Sequence, residues 1–228
     1  MEAIILAGGF GTRLREVVPD LPKPMAPVAG RPFLEILLAS LAQKKFTRVV
    51  LSLGFMASKI MEHFGPRYLG MDLIYEVEST PLGTGGAIRA ALGRCIGDHA
   101  FVFNGDTYLD LEVDELEHQW QTTHSAIIVV REVPDTARFG KIEMNANRVT
   151  AFLEKGAAGP GLINAGCYVL SKDALNAFPL GESFSLENKY FMPNLKNIEF
   201  NGFVTRGRFI DIGIPSDFEL AQTMLADL

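Results

Sequence analysis

The sequence predicts an α/β fold of the Rossmann-like, three-layer kind, with helices covering both faces of a mixed, mainly parallel sheet. Three observations carry this expectation. The opening run Ala3-Ile4-Ile5-Leu6-Ala7 is continuously apolar and stops at glycines, the pattern of a strand buried on both faces. Apolar runs then alternate with stretches of helical spacing through the first half of the chain, the rhythm of a parallel sheet with crossover helices. Beyond residue 110 the segments become shorter and more β-rich, so the sheet is expected to be mixed.

Each element follows in order. After the first strand and a loop, Phe33, Leu34, Ile36, Leu37, Leu38 and Leu41 form one broad apolar face, with Pro32 suited to a first helical turn. Arg48 to Leu53 is an apolar, β-branched strand; residues 56–64 read as a helix, 72–77 as a strand, 85–93 as a helix after glycines, and Ala100 to Phe103 as a buried strand. A helix at 112–123 precedes strands at 126–131, 139–144, 148–154 and 163–170, and Asn145 and Asn147 suggest a tight hairpin. A short helix at 171–178, an irregular stretch from Pro179 to Pro193, strands at 198–204 and 208–212 and a helix from Pro215 complete the pattern.

Composition sets the bounds. The 228 residues are 48% hydrophobic and 21% charged, a soluble globular balance, and with no linker or repeat they are expected to form a single domain over 1–228. A net charge of −6 with no basic stripe excludes a general nucleic-acid-binding surface. The apolar run at the N-terminus is too short for a signal peptide or a membrane span. Two distant cysteines, Cys95 and Cys167, fit small core residues in a reducing cytoplasm. A homodimer is the default assembly, expected from general symmetry rather than from any residue.

The strongest motif is Leu6-Ala7-Gly8-Gly9-Phe10-Gly11-Thr12-Arg13, followed by Pro22-Lys23-Pro24. Glycines after a buried strand let backbone N–H groups approach a phosphate or base. A dinucleotide fingerprint fails because Leu14 stands where its third glycine belongs, and a Walker loop fails because Gly11-Thr12-Arg13 is not Gly-Lys-Ser/Thr. What remains is a glycine loop with an arginine, and a lysine whose flanking prolines restrict where its ammonium points. That is a design for holding an anion. Asp106 lies just beyond the strand ending at Phe103, and Asp211 ends the run Arg208 to Ile210, so both sit where α/β proteins bind ligands. Taken singly, either aspartate also fits a helix cap or turn, Glu154-Lys155 an exposed charge pair, and Asn164 a turn residue.

With these motifs the chain resembles the sugar-1-phosphate nucleotidyltransferases. The resemblance continues through Pro81-Leu82-Gly83-Thr84-Gly85-Gly86-Ala87, Asn104-Gly105-Asp106-Thr107, Phe152-Leu153-Glu154-Lys155, Asn164-Ala165-Gly166 and Asp211-Ile212-Gly213-Ile214-Pro215. It implies a nucleotide site built from Leu6, Ala7, Gly8, Gly9, Gly11, Thr12, Arg13, Lys23, Pro81, Gly83, Thr84 and Gly105. It implies catalytic roles for Arg13 at the leaving phosphates, Lys23 at the α-phosphate and Asp106, with Asp106 and Asp211 holding Mg2+. It implies a sugar-phosphate site at Gly140, Glu154, Lys155 and Asn164. The substrates so implied are a nucleoside triphosphate and a sugar 1-phosphate. One departure is Gly85, where many relatives have alanine.

Within that family the length, the Pro-Leu-Gly-Thr-Gly-Gly-Ala-Ile loop, Phe184-Ser185-Leu186-Glu187 and the Phe209 to Pro215 ending are most similar to D-glycero-α-D-manno-heptose 1-phosphate guanylyltransferases. Mannose 1-phosphate guanylyltransferases and N-acetylmuramate 1-phosphate uridylyltransferases stand close behind, and spacing alone does not separate them. A nucleotide-sugar-binding regulator without turnover is the alternative from another class; intact Arg13, Lys23, Asp106 and Asp211 argue against it.

Overall fold

The computed structural model describes residues 1–228 except 10, 12, 13, 15–17, 154, 155 and 157. In chain order the elements are β1 (Glu2–Ala7), a 3-10 turn (Lys23–Met25), β2 (Pro27–Val28), β3 (Arg31–Pro32), α1 (Phe33–Gln43), β4 (Arg48–Leu53), α2 (Ala57–Phe64), β5 (Arg67–Tyr68), β6 (Met71–Val77), α3 (Gly83–Leu92) and β7 (His99–Asn104). There follow β8 (Thr107–Leu109), α4 (Val113–Thr123), β9 (Ile127–Val133), β10 (Ile142–Asn145), β11 (Arg148–Phe152), β12 (Gly161–Ser171), a π-helical turn (Leu186–Phe191), α5 (Met192–Asn194), β13 (Asn201–Thr205), β14 (Phe209–Asp211) and α6 (Pro215–Met224).

Ten strands form one sheet in the order β10-β11-β13-β9-β12-β7-β1-β4-β6-β5. From the pairings, β12, β11 and β5 run against the other seven, so the sheet is mixed with one dominant direction. Its central part, β7-β1-β4-β6, is wholly parallel. The chain leaves β1 through α1 to β4 on one side and later returns to β7 on the other, which opens a crevice at the carboxyl end of β1.

Alternation of side chains along the strands divides the core into two. On one face Ala3, Ile5, Val49, Leu51 and Phe101 pack under α1, α2, α4 and α6; on the other Ile4, Val50, Ala100 and Val102 meet α3 and the π-helical turn. Fully burying one such side chain stabilises the fold by about 1.5–3 kcal/mol, which sets the layers more firmly than any surface pair does. Cys95 and Cys167 are buried, as small core residues should be. Burial pushes the Cys95 thiol up to about 12. Among the described residues no helix is long and apolar enough to cross a membrane.

Several elements depart from expectation. Of the helix expected over 171–178, Ser171 ends β12 and the rest is a chain of turns: Ala174, Asn176 and Phe178 donate to the carbonyls three residues back. Asp173 engages Asn176 side chain to side chain at 2.7 Å, a local alternative to helical bonding, and Pro179 closes the segment. The strand expected from 139 starts only at Ile142, because the Phe139 and Gly140 N–H groups turn back to Thr136 O, with Gly140 at φ 79°. The stretch expected to be irregular contains the π-helical turn, which Ser185 Oγ caps by accepting from Asn188 N.

Candidate active site

At the carboxyl end of β1 a cleft of about 320 Å3 is walled by Leu6, Gly8, Gly9, Glu78, Pro81, Gly83, Thr84, Ala87, Asn104 and Asp106. Glycine makes the approach possible in two different ways. Among the described residues nothing lies within 4 Å of where a Cβ at Gly9 would stand, which leaves its backbone accessible from the cleft. Gly105 instead packs inward: its N–H donates to Leu6 O at 2.9 Å, and a Cβ there would lie 2.5 Å from that oxygen. Its place is thus the junction of β1 and β7, behind the cleft wall. Ala7 is likewise core, buried beneath α1, and Gly11, at φ 59°, backs onto Lys23, whose Cβ would lie 2.8 Å from an added methyl. Thr12 and Arg13 lie outside the described residues.

Beside this cleft the structure gathers Lys23, Asp106 and Asp211. The 3-10 turn carries Lys23 between Pro22 and Pro24, and burial of Pro24 and Met25 anchors it. The Lys23 ammonium donates to Asp106 Oδ2 at 2.6 Å. Asp211 arrives on β14, whose pairing with β8 sets it opposite Thr107, while Ile212 N donates to Asp106 O at 2.9 Å. Gly213 N donates to Asp211 Oδ1 at 2.6 Å. Burial, and then the nearby Asp106 charge, raise the Asp211 carboxyl, against the lowering pull of Lys23. Two carboxylates facing one ammonium fit a hard divalent cation that takes one or two carboxylates and fills its octahedron with water and phosphate oxygens, as Mg2+ does. Among the described residues no cluster of three or more His, Cys, Asp or Glu offers an alternative metal cage.

A second cleft, about 390 Å3, is walled by Phe139, Gly140, Lys141, Ile142, Phe152, Leu153, Asn164, Glu187, Asn188 and Met192. Gly140 and Asn164, two of the four residues implied for the sugar phosphate, both line it; Glu154 and Lys155 lie outside the described residues. The two clefts adjoin through a bulge in β12 between Asn164 and Tyr168. There Gly166, at φ 72°, sits so close to the Asn104 side chain that a Cβ would lie 2.5 Å from its amide nitrogen.

Residues 2–227 match the model of the nucleotidyl transferase family. The chain belongs to that family. The nucleotidyl transferase is similar to the D-glycero-alpha-D-manno-heptose 1-phosphate guanylyltransferase of Aneurinibacillus thermoaerophilus, at 38% identity over 99% of this chain and 98% of that one. It is 37% identical to the protein of that name from Campylobacter jejuni, over 96% of this chain and 97% of the relative. Among solved structures it resembles HddC from Yersinia pseudotuberculosis, with a TM-score of 0.88 at 36% identity, covering 98% of this chain and 99% of that one. HddC complexed with GMP-PN superposes with a TM-score of 0.86. The family expected from the motifs is therefore the family found.

The nucleotidyl transferase also has site residues that sequence reasoning passed over. Glu78, just past β6, lies against Gly8; its carboxylate accepts from Ser52 Oγ at 3.2 Å and Leu82 N at 3.0 Å. The signal was present, an acidic residue just beyond a parallel strand and three before the Pro81 loop. Glu187 accepts from Asn164 Nδ2 at 2.6 Å, which also donates to Tyr168 OH at 2.7 Å. Burial, with the Glu187 charge, raises the Tyr168 phenol well above its ordinary value, so it stays protonated.

Proposed function

We propose that this nucleotidyl transferase is a D-glycero-α-D-manno-heptose 1-phosphate guanylyltransferase, joining the sugar 1-phosphate to GTP with release of pyrophosphate. The observation that carries the reading is Lys23 against Asp106, with Asp211 alongside, beside a glycine-walled cleft that adjoins a second one. A sugar-phosphate oxygen attacks the α-phosphorus, the bond from that phosphorus to the β-bridging oxygen breaks, and the oxygen leaves with the electron pair as pyrophosphate. The nucleophile is already an anion, so no residue needs to remove a proton. Alignment and charge neutralisation are what the protein must supply.

Asp106 and Asp211 would hold Mg2+, which when bound neutralises and orders phosphate oxygens. Lys23 neutralises charge developing around the α-phosphorus, and Arg13 draws on the departing pyrophosphate. Gly8 and Gly9 give the nucleotide close access to the backbone, with Pro81, Gly83 and Thr84 on the opposite wall. Glu78 favours guanine on chemical grounds: a carboxylate only accepts, and guanine alone among the common bases presents a ring N–H beside an amino group. Gly140, Glu154 and Lys155 serve the sugar phosphate, and Asn164 serves it by holding the wall of the same cleft, its amide being bonded within the protein. Two buried thiols, one with its pKa raised to about 12, suit a reducing cytoplasm, the compartment we assign.

The test is a pyrophosphate-release assay with Mg2+ that crosses GTP, UTP, CTP, dTTP and ATP with heptose, mannose, glucose and aminosugar 1-phosphates. GTP with the heptose 1-phosphate is expected to give the highest kcat/KM. A preference for UTP overturns the guanylyl assignment, and a preference for mannose 1-phosphate moves the sugar assignment. Glu78→Gln is expected to shrink the margin of GTP over the other triphosphates by about tenfold, the range for a hydrogen bond to a charged group.

A further inference from the structure

The segment Phe184 to Glu187 touches both clefts. Phe184 N donates to Leu82 O at 2.9 Å and Gly85 N donates back to Phe184 O at 2.9 Å. Two residues on, Leu186 N donates to the Thr84 hydroxyl at 3.0 Å. Gly83 and Thr84 wall the first cleft, and Glu187 walls the second. The contact depends on glycine: a Cβ at Gly85 would lie 2.1 Å from Cε2 at the edge of the Phe184 ring, which is buried and stacked on Phe178 with ring centroids 4.2 Å apart. The departure at residue 85 thus has a steric reason, since the ring occupies the space an alanine methyl would take.

At the other end of the strap, hydrogen-bonding capacity is divided unevenly. Asn164 donates both amide hydrogens within the protein, to Tyr168 OH and Glu187 Oε1, and its Oδ1 accepts from Gly166 N at 2.9 Å. It is a prop. Glu187 uses Oε1 for that bond, and among the described residues Oε2 has none. Around it the cleft presents the apolar Ile142, Phe152, Leu153 and Met192, with Lys141 and Asn188 as its other polar side chains besides Asn164; among these described residues Glu187 alone offers a carboxylate. A carboxylate oxygen in such a setting is an acceptor for the O–H of a sugar, and bonds of that kind are the strong ones.

We propose that Glu187 is a specificity-determining residue that binds a hydroxyl of the sugar 1-phosphate, and that Phe184 seated on Gly85 positions it, so that the nucleotide loop sets the geometry of the sugar cleft. This rests on the reading of the second cleft as the sugar site. Asn164 holds the carboxylate from one side, and the strap holds its backbone from the other. A sugar lacking the hydroxyl that Glu187 reads leaves its carboxylate unpaired and is rejected.

The experiment measures KM for the sugar 1-phosphate and for the triphosphate separately, using whichever pair the wild-type enzyme turns over best, alongside calorimetric titration of the sugar 1-phosphate alone. Glu187→Gln is expected to raise the sugar KM about tenfold or more and weaken titrated affinity likewise, while the triphosphate KM changes less than about threefold. Glu187→Asp should reorder the preference among sugar 1-phosphates. Gly85→Ala should raise the sugar KM, and adding Phe184→Leu should bring it back towards wild type. If Gly85→Ala does not fold, Phe184→Leu alone tests the link, by a raised sugar KM with Glu187 intact. Unchanged sugar affinity and preference in the Glu187 variants overturns the role of Glu187. A Gly85 or Phe184 variant that moves only the triphosphate KM overturns the coupling. A wild-type preference for another base or sugar would overturn the GTP and heptose reading yet leave these comparisons intact.

Discussion

The two sides of the crevice handle their ligands with different material. On the parallel side, around β1, β4 and β6, three glycines expose backbone in the cleft wall: Gly8 and Gly9 follow a strand buried on both faces, and Gly83 opens a helix with Thr84. On the mixed side, around β12, the wall is side chains on irregular backbone: Asn164 at a bulge and Glu187 on a π-helical turn. The difference follows from what each cleft must bind under the proposed reading. A triphosphate is the same in every nucleotide, and main-chain N–H groups with a few aimed cations suit it. A sugar is distinguished only by its hydroxyls, and reading those takes polar side chains aimed from bends that a regular strand or helix does not offer.

The comparison breaks most sharply at Asp106. Asp106→Asn is expected to keep the fold and lower Mg2+-dependent pyrophosphate release by about 10²–10³-fold, the scale of losing one electrostatic stabiliser; turnover near wild type would remove it from the metal pair. Next in size is a contrast between two glycines. Gly105→Ala forces a methyl against Leu6 O and should cost about 1–3 kcal/mol in a urea titration, as overpacking does. Gly9→Ala, whose methyl meets none of the described residues, should leave the urea midpoint alone and raise the triphosphate KM.

A smaller effect is expected at Asp211. Its folded pKa is raised, so the folded state holds that proton more tightly than the unfolded state. The contribution to stability is therefore present at low pH and lost as pH rises through the folded value. Asp211→Asn should raise Tm at neutral pH without metal, and remove the stabilisation that Mg2+ gives the wild type, as differential scanning calorimetry would show. Smallest of all is Arg138→Ala, which breaks a half-exposed pair with Asp217 at 2.8 Å. It should cost less than about 1 kcal/mol, and less still in high salt.

Legibility in the sequence followed the same division. The parallel strands were readable because burial on both faces writes itself as unbroken apolar runs, as in Ala3 to Ala7 and Val49 to Leu51. Asp106 and Asp211 were readable because each ends such a run, although only the β8 and β14 pairing brings them together. Glu187 was quoted in a motif but had no role, since a π-helical turn has no period that marks it in sequence. The 171–178 turns were misread as helix because apolar spacing there is compatible with either, and the choice lies with the Asp173 and Asn176 side chains. At Gly11 and Gly105 tertiary packing gives glycine a second reason that the sequence does not display, since an added Cβ would meet Lys23 or Leu6.

The short ribbon of β8 and β14 also bears on how the protein is made. It joins a residue just before the middle of the chain to one more than a hundred positions later, with Asp211 opposite Thr107. During synthesis the glycine loop, Lys23 and Asp106 emerge from the ribosome well before their second carboxylate exists. Under the proposed reading a nascent chain thus has one of its two Mg2+ carboxylates in hand, and gains the other only when β14 zips onto β8. Completion of the fold and competence for chemistry become the same event.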